Sequence, residues 1–140
     1  MKRRMQIIKL VELKADSYYD DAQRLAEAGK KAVGGMGKSQ LEKLRGIADC
    51  ALKVSDVLNY IKNQAARHEK WRENDFADEL LEKVNIKLRK DMNEVCSQLP
   101  SPPTSDLEKQ QIHLMLIREY INQFVTHCFY SSSGVKSSGA

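Results

Sequence analysis

Proline is nearly absent from this chain: three residues in 140, all of them within the stretch Pro100-Ser101-Pro102-Pro103. Helices elsewhere therefore meet no proline break. Cysteine is equally sparse. Cys50, Cys96 and Cys128 are odd in number, far apart and set among apolar helical positions, which argues for reduced thiols rather than a disulfide framework. No Cys-x-x-Cys or His-x-x-x-His pair exists, and His68, His113 and His127 lie far from one another, so the sequence offers no metal site. No apolar run approaches the roughly 18 residues needed to cross a bilayer. The start, Met1 to Ile8, is basic and then apolar, but Lys9, Glu12 and Lys14 interrupt it too early for a signal peptide, and a cytoplasmic protein without a membrane contact is expected. No window alternates strictly enough for a strand, and no internal repeat recurs at a fixed period.

What is present is helical throughout. The composition, 41% hydrophobic and 30% charged, suits a soluble helical protein of one domain. A first helix is expected from about Gln6 to Val33, broken near Asp16-Ser17, with Ile7, Leu10, Val11 and Leu13, then Tyr18, Ala22, Leu25 and Ala28, on its apolar face. Gly34 to Gly37 stop it. Ser39 with Glu42 forms a capping box for a second helix, which turns Leu41, Leu44, Ile47, Ala48 and Ala51 or Leu52 inward. A third starts near Ser55, uses Leu58, Ile61 and Ala65, and fades around Trp71. Asn74 can cap a fourth, carrying Ala77, Leu81, Val84, Leu88, Val95 and Leu99, which the Pro100–Pro103 segment ends. Ser105 and Glu108 form a second capping box before a fifth helix with Leu107, Leu114, Ile117, Ile121, Phe124, Val125 and Cys128 on its face. That helix is the most hydrophobic and is expected at the centre. The fold class is thus all-α, a compact bundle of about five helices over residues 1–130, with the Ser/Gly-rich residues 131–140 as a disordered tail.

Two motifs invite an enzymatic reading, and both fall short. Ala32 to Ser39 resembles a phosphate-binding loop, with Gly37, Lys38 and Ser39 in the last three places, but Ala32 stands where the first glycine belongs. A phosphate loop follows a buried strand. Here Arg24 to Lys31 carries charges and alanines at helical spacing, so the segment reads as a turn between helices. His68-Glu69 opens like a zinc-protease motif, but Arg72 occupies the place of the second histidine. Asp75, Asp78, Glu79 and Glu82 share a flank, as Asp16, Asp20 and Asp21 cluster earlier; both read as solvated faces. Gly-x-Ser-x-Gly elbows are absent. No catalytic residue and no cofactor are assigned, and a non-enzymatic protein is expected.

Charge is unevenly spread. Residues 1–72 hold 16 Lys and Arg against 9 Asp and Glu, a balance of +7; residues 73–140 hold 7 against 10, a balance of −3. A basic half suits an anionic partner, and the asymmetry also suits self-stacking of neighbouring copies. The basic set is concentrated. Lys38, Gln40, Lys43 and Arg45 open the second helix; Lys62, Asn63, Arg67, Lys70, Trp71 and Arg72 close the third. Cations pair with phosphates, amides bond sugar or base edges, and Trp71 could stack on an unpaired base, or else anchor a helix end in the core. These ten residues are the candidate RNA-binding site.

The segment Lys38-Ser39-Gln40-Leu41 resembles the helix opening of the Csm-type small subunit of type III CRISPR effector complexes. Tyr60-Ile61-Lys62-Asn63-Gln64-Ala65-Ala66-Arg67 is similar to that family's segment ending in Gly-Arg, and Arg118 to His127 resembles its aromatic-rich last helix. The chain departs from the pattern at Glu42, where the family often has arginine, and at Ala66, which replaces glycine. The resemblance implies a non-catalytic bundle stacked in several copies along a guide RNA–target RNA duplex, beside other subunits, with Lys38, Gln40, Lys62 and Arg67 on the RNA. The competing expectation is a helical protein–protein adaptor without nucleic acid; a nucleotide-binding protein is third.

Overall fold

A computed structural model describes residues 2–29 and 37–132 of the chain, with the side chains of residues 131 and 132 left aside. These residues form an all-α bundle without a strand. Helix α1 spans Lys2–Ala15, a 3-10 turn covers Asp16–Tyr18, and α2 covers Tyr19–Ala28. Then come α3 (Gly37–Cys50) and α4 (Val54–Arg67), followed by 3-10 turns at Glu69–Trp71 and Glu73–Asp75. Helix α5 (Phe76–Glu82) runs through a π-helical segment, Lys83–Lys87, into α6 (Leu88–Gln98). The last helix, α7 (Asp106–Ser132), packs against α1, α2, α3, α4 and α6. It is central because most of its circumference is apolar: Ile112, Leu114, Leu116, Ile117, Tyr120, Ile121, Phe124 and Val125 are all buried.

Several boundaries differ from the sequence reading. The break at Asp16-Ser17 is real but is a single 3-10 turn, through which the chain continues as helix. Leu13 and Leu107, expected inward, point to solvent at 73% and 64% exposure, and Leu52 is exposed while Ala51 is buried. Helical period says which residues share a face, but a face is buried only where a neighbour reaches it. Asn74 does not cap the fourth helix: Asn74 and Asp75 both adopt left-handed φ, 56° and 57°, and the chain reverses there into Phe76. Two consecutive left-handed non-glycine residues cost energy. The turn persists because Trp71 and Phe76, on either side of it, are fully buried and in ring contact. Ser39 is the third residue of α3 rather than its cap, so the cap position falls on residues outside the described set, as does the expected turn over Ala32 to Met36. Residues 133–140 of the expected tail also lie outside it; Ser131 and Ser132 continue α7. Ser105 does cap α7, its Oγ accepting the Glu108 N–H at 3.2 Å. Glu108 does not complete the box. Its carboxylate takes both arms of Arg3 from α1, at 2.9 Å each.

Buried polar groups tie the helices in register. Asp91, fully buried, accepts from the Tyr18 hydroxyl at 2.8 Å and from Lys87 Nζ at 2.7 Å. Asp21 accepts from the Tyr120 hydroxyl at 2.8 Å and pairs with Lys83 at 2.9 Å. Burial opposes its charge, but the bonds from Lys83, Tyr120 and Arg24 prevail and hold its carboxyl below the usual range. Both lysines come from the π-helical segment, whose ends they anchor to α2 and α6.

His113 on α7 meets the same segment. It is buried at 3% exposure, and its Nε2 lies 2.9 Å from the Val84 carbonyl. A carbonyl can only accept, so Nε2 carries the proton. Burial pushes the His113 pKa down, the Val84 bond opposes this, and Arg89 adds to it. A histidine depressed in the fold binds fewer protons than in the unfolded chain, so stability is complete above the ordinary histidine pKa and falls as pH drops below about 6.5. Urea midpoints between pH 7.5 and 5 are expected to decline in the native chain and to flatten in His113→Gln; equal slopes would contradict the assignment.

Gly29, at the end of α2, sits against Phe76. A Cβ built there meets the ring at 2.5, 2.8 and 3.0 Å. Phe76 cannot retreat, being in ring contact with both Trp71 and Phe124. Gly29→Ala is expected to cost about 1–3 kcal/mol by overpacking, measured by denaturant unfolding, whereas Gly46→Ala, with open space at its Cβ, should stabilise or be neutral.

Candidate nucleic-acid interface

The first turn of α3 and the last turn of α4 meet at one end of the bundle, and a buried tryptophan joins them. Trp71 is 0% exposed, and its indole N–H donates to Gln40 Oε1 at 2.6 Å. That bond fixes the Gln40 amide, so its Nε2 faces His68 Nε2 at 3.2 Å. An amide NH2 only donates, which makes His68 Nε2 the acceptor and puts the ring proton on Nδ1. The Tyr60 hydroxyl donates to the Gln40 carbonyl at 2.8 Å. Burial pushes the Tyr60 pKa up, and the hydroxyl stays a donor.

This corrects two members of the expected RNA set. Trp71 cannot stack on a base, because no part of its ring reaches solvent, and both ends of the Gln40 side-chain amide are consumed inside the protein. They form the floor that sets α3 against α4. Two more are committed in part. Arg45 donates to Glu42 through Nε at 3.2 Å and Nη2 at 2.7 Å, and its guanidinium lies 5.5 Å from the Phe129 ring centre. Arg72 donates to the Ala65 carbonyl, closing the end of α4.

Six of the ten remain as surface groups: Lys38, Lys43, Lys62, Asn63, Arg67 and Lys70 are exposed. Among the described residues, none of the five cations in that set has an acidic partner. Some cations elsewhere are neutralised within the fold: Arg3 by Glu108, Lys14 by Glu94, Arg24 by Asp21 and Glu79, Lys83 by Asp21, and Lys87 by Asp91. Others, Arg4 and Lys90 among them, have no acidic partner among the described residues. The pairing of α3 with α4 therefore carries exposed cations in excess over the acids beside them, of which Glu42 is taken by Arg45 and Glu69 is exposed.

Sequence reasoning missed what holds the opposite ends of these helices. Arg118 of α7 donates to the Ala48 and Ala51 carbonyls at 2.9 and 3.3 Å, capping the C-terminus of α3. Gln110 Oε1 accepts the Val54 N–H at 3.1 Å and caps the start of α4. Both contacts span more than fifty residues of sequence, and no local pattern signals them. As for catalysis and metals, α2, the last described element before the glycine-rich segment, is a helix, whereas a phosphate loop follows a strand. Among the described residues no three His, Cys, Asp or Glu side chains converge on a point that could hold a metal ion, and no helix is long and apolar enough to cross a membrane. Of the acidic flank, Glu79 is engaged by Arg24.

Compared with protein-family models, with curated proteins and with solved structures, the chain matches none.

Proposed function

We propose that this protein is a non-catalytic helical subunit of an RNA-guided antiviral effector complex of the type III CRISPR class, holding the backbone of guide or target RNA against its α3–α4 end. One observation carries the reading: five exposed cations without an acidic partner among the described residues, Lys38, Lys43, Lys62, Arg67 and Lys70, lie on α3, α4 and the turn after α4, the elements that Gln40 joins through Trp71 and Tyr60. Three of them, Lys38, Lys62 and Arg67, are positions that the resemblance to the small subunit assigns to RNA. Gln40, the fourth, supports the surface from beneath rather than touching the ligand. Lysines and an arginine without base-reading amides, Asn63 apart, suit phosphate contacts that position the RNA and leave sequence unread.

Mobility shift of single-stranded RNA across a salt series tests this. The expected result is an affinity that falls steeply with salt and vanishes in Lys62→Glu/Arg67→Glu. Tight association with a protein partner, with no RNA affinity and indifferent to those reversals, would establish the adaptor reading instead. ATP binding lost on Lys38→Ala would restore the nucleotide reading.

A further inference from the structure

At the other end of α3 and α4 lies an open groove of about 780 Å³, between the first turns of α1, the α3–α4 corner and the first half of α7. Its floor is apolar, with Ile7 and Ile112 buried beneath it. Leu52 and Leu107 stand on its lips at 84% and 64% exposure. These are the outward leucines that helical period had placed in the core. Its charge is of one sign. Arg3 is cancelled by Glu108, while Arg118 spends Nε and Nη2 on neutral carbonyls and keeps its charge. Arg4 is exposed and has no partner among the described residues.

We infer that this groove docks an acidic amphipathic helix of a partner protein, with leucine-type side chains on the apolar floor and carboxylates against Arg4 and Arg118. Charge complementarity selects an acidic occupant. The position of the leucines selects a helix over a small amphiphile: a small ligand is enclosed by a concavity, whereas a helix laid along a groove also covers the lips. The volume suits a few anchor side chains. Because α3 is 14 residues long, the groove lies roughly 20 Å from the cationic end, so both surfaces can be occupied together. The protein would then bridge an RNA backbone to an acidic protein segment. The docking inference stands on its own observations and does not depend on the RNA reading.

Fluorescence anisotropy with two labelled designed peptides tests it. One is a helix with leucines on one face and glutamates on its flanks; the other replaces those glutamates with lysines. The acidic probe is expected to bind with a micromolar Kd, and Leu107→Asp and Arg4→Glu should each weaken it by roughly tenfold or more. Both positions are exposed, and unchanged thermal unfolding and helical content would show the variants intact. The lysine probe should not bind. Failure of the acidic probe at about 1 mM, equal binding of both probes, or indifference to Leu107→Asp would overturn the inference. A self-oligomer of the native chain that dissociates on Leu107→Asp would also overturn it, giving the groove to a second copy.

Discussion

Replacing Trp71 with alanine is expected to lower the free energy of unfolding by about 3–5 kcal/mol, a large share of the 5–15 kcal/mol typical of a domain. The indole is 0% exposed, touches the Phe76 ring at 5.3 Å between centroids, and donates to Gln40. Its removal opens a cavity under both left-handed residues and leaves Gln40 Oε1 without a donor. Trp71→Phe separates the two effects: it keeps much of the ring volume and loses only the N–H, so about 1–3 kcal/mol is expected for the orphaned acceptor. Urea unfolding measures both. The outcome also bears on function. If Trp71→Ala kept its stability and lost RNA affinity alone, the ring would be a base-stacking platform and the geometry described above would be wrong.

The second large effect concerns the surface above that tryptophan. Lys62→Ala/Arg67→Ala is expected to weaken single-stranded RNA binding by roughly 25-fold at about 0.1 M salt, because each phosphate contact contributes roughly 0.7 to the slope of log affinity against log salt. The slope itself should fall by roughly 1.4. Both residues are exposed and unpaired, so the unfolding midpoint should not move. Arg45→Ala offers the contrast. Its guanidinium is already balanced by Glu42, and it should change the slope by less than either member of the pair. If Arg45→Ala lowered the slope as much per residue as the double variant, affinity would be tracking net charge rather than this surface.

Much of the fold was legible locally. The Pro100–Pro103 segment ends α6 at Gln98, Ser105 caps α7, and the weak point at Asp16 becomes a 3-10 turn. These are events within one turn of helix, governed by missing N–H groups and short polar side chains. The site was half legible. Its cations were visible because lysine and arginine rarely stay buried, whatever the fold. Trp71 could not be assigned to solvent or core from its neighbours, since its burial depends on Phe76 and Phe124, and on a turn whose left-handed residues no propensity predicts.

What the chain determined by itself is its class: helical period throughout, a most apolar last helix that becomes the centre, and a concentration of cations in residues 38–72. What the tertiary structure alone decided is which of those groups are spent. Glu108 leaves its expected cap for Arg3, Gln40 turns inward to Trp71, Arg118 closes α3 from seventy residues away, and Leu107 is left outside. Period and propensity act over three or four residues. A partner for a carboxylate, an indole or a guanidinium is chosen by whichever helix arrives beside it, and that is settled only when the whole bundle closes.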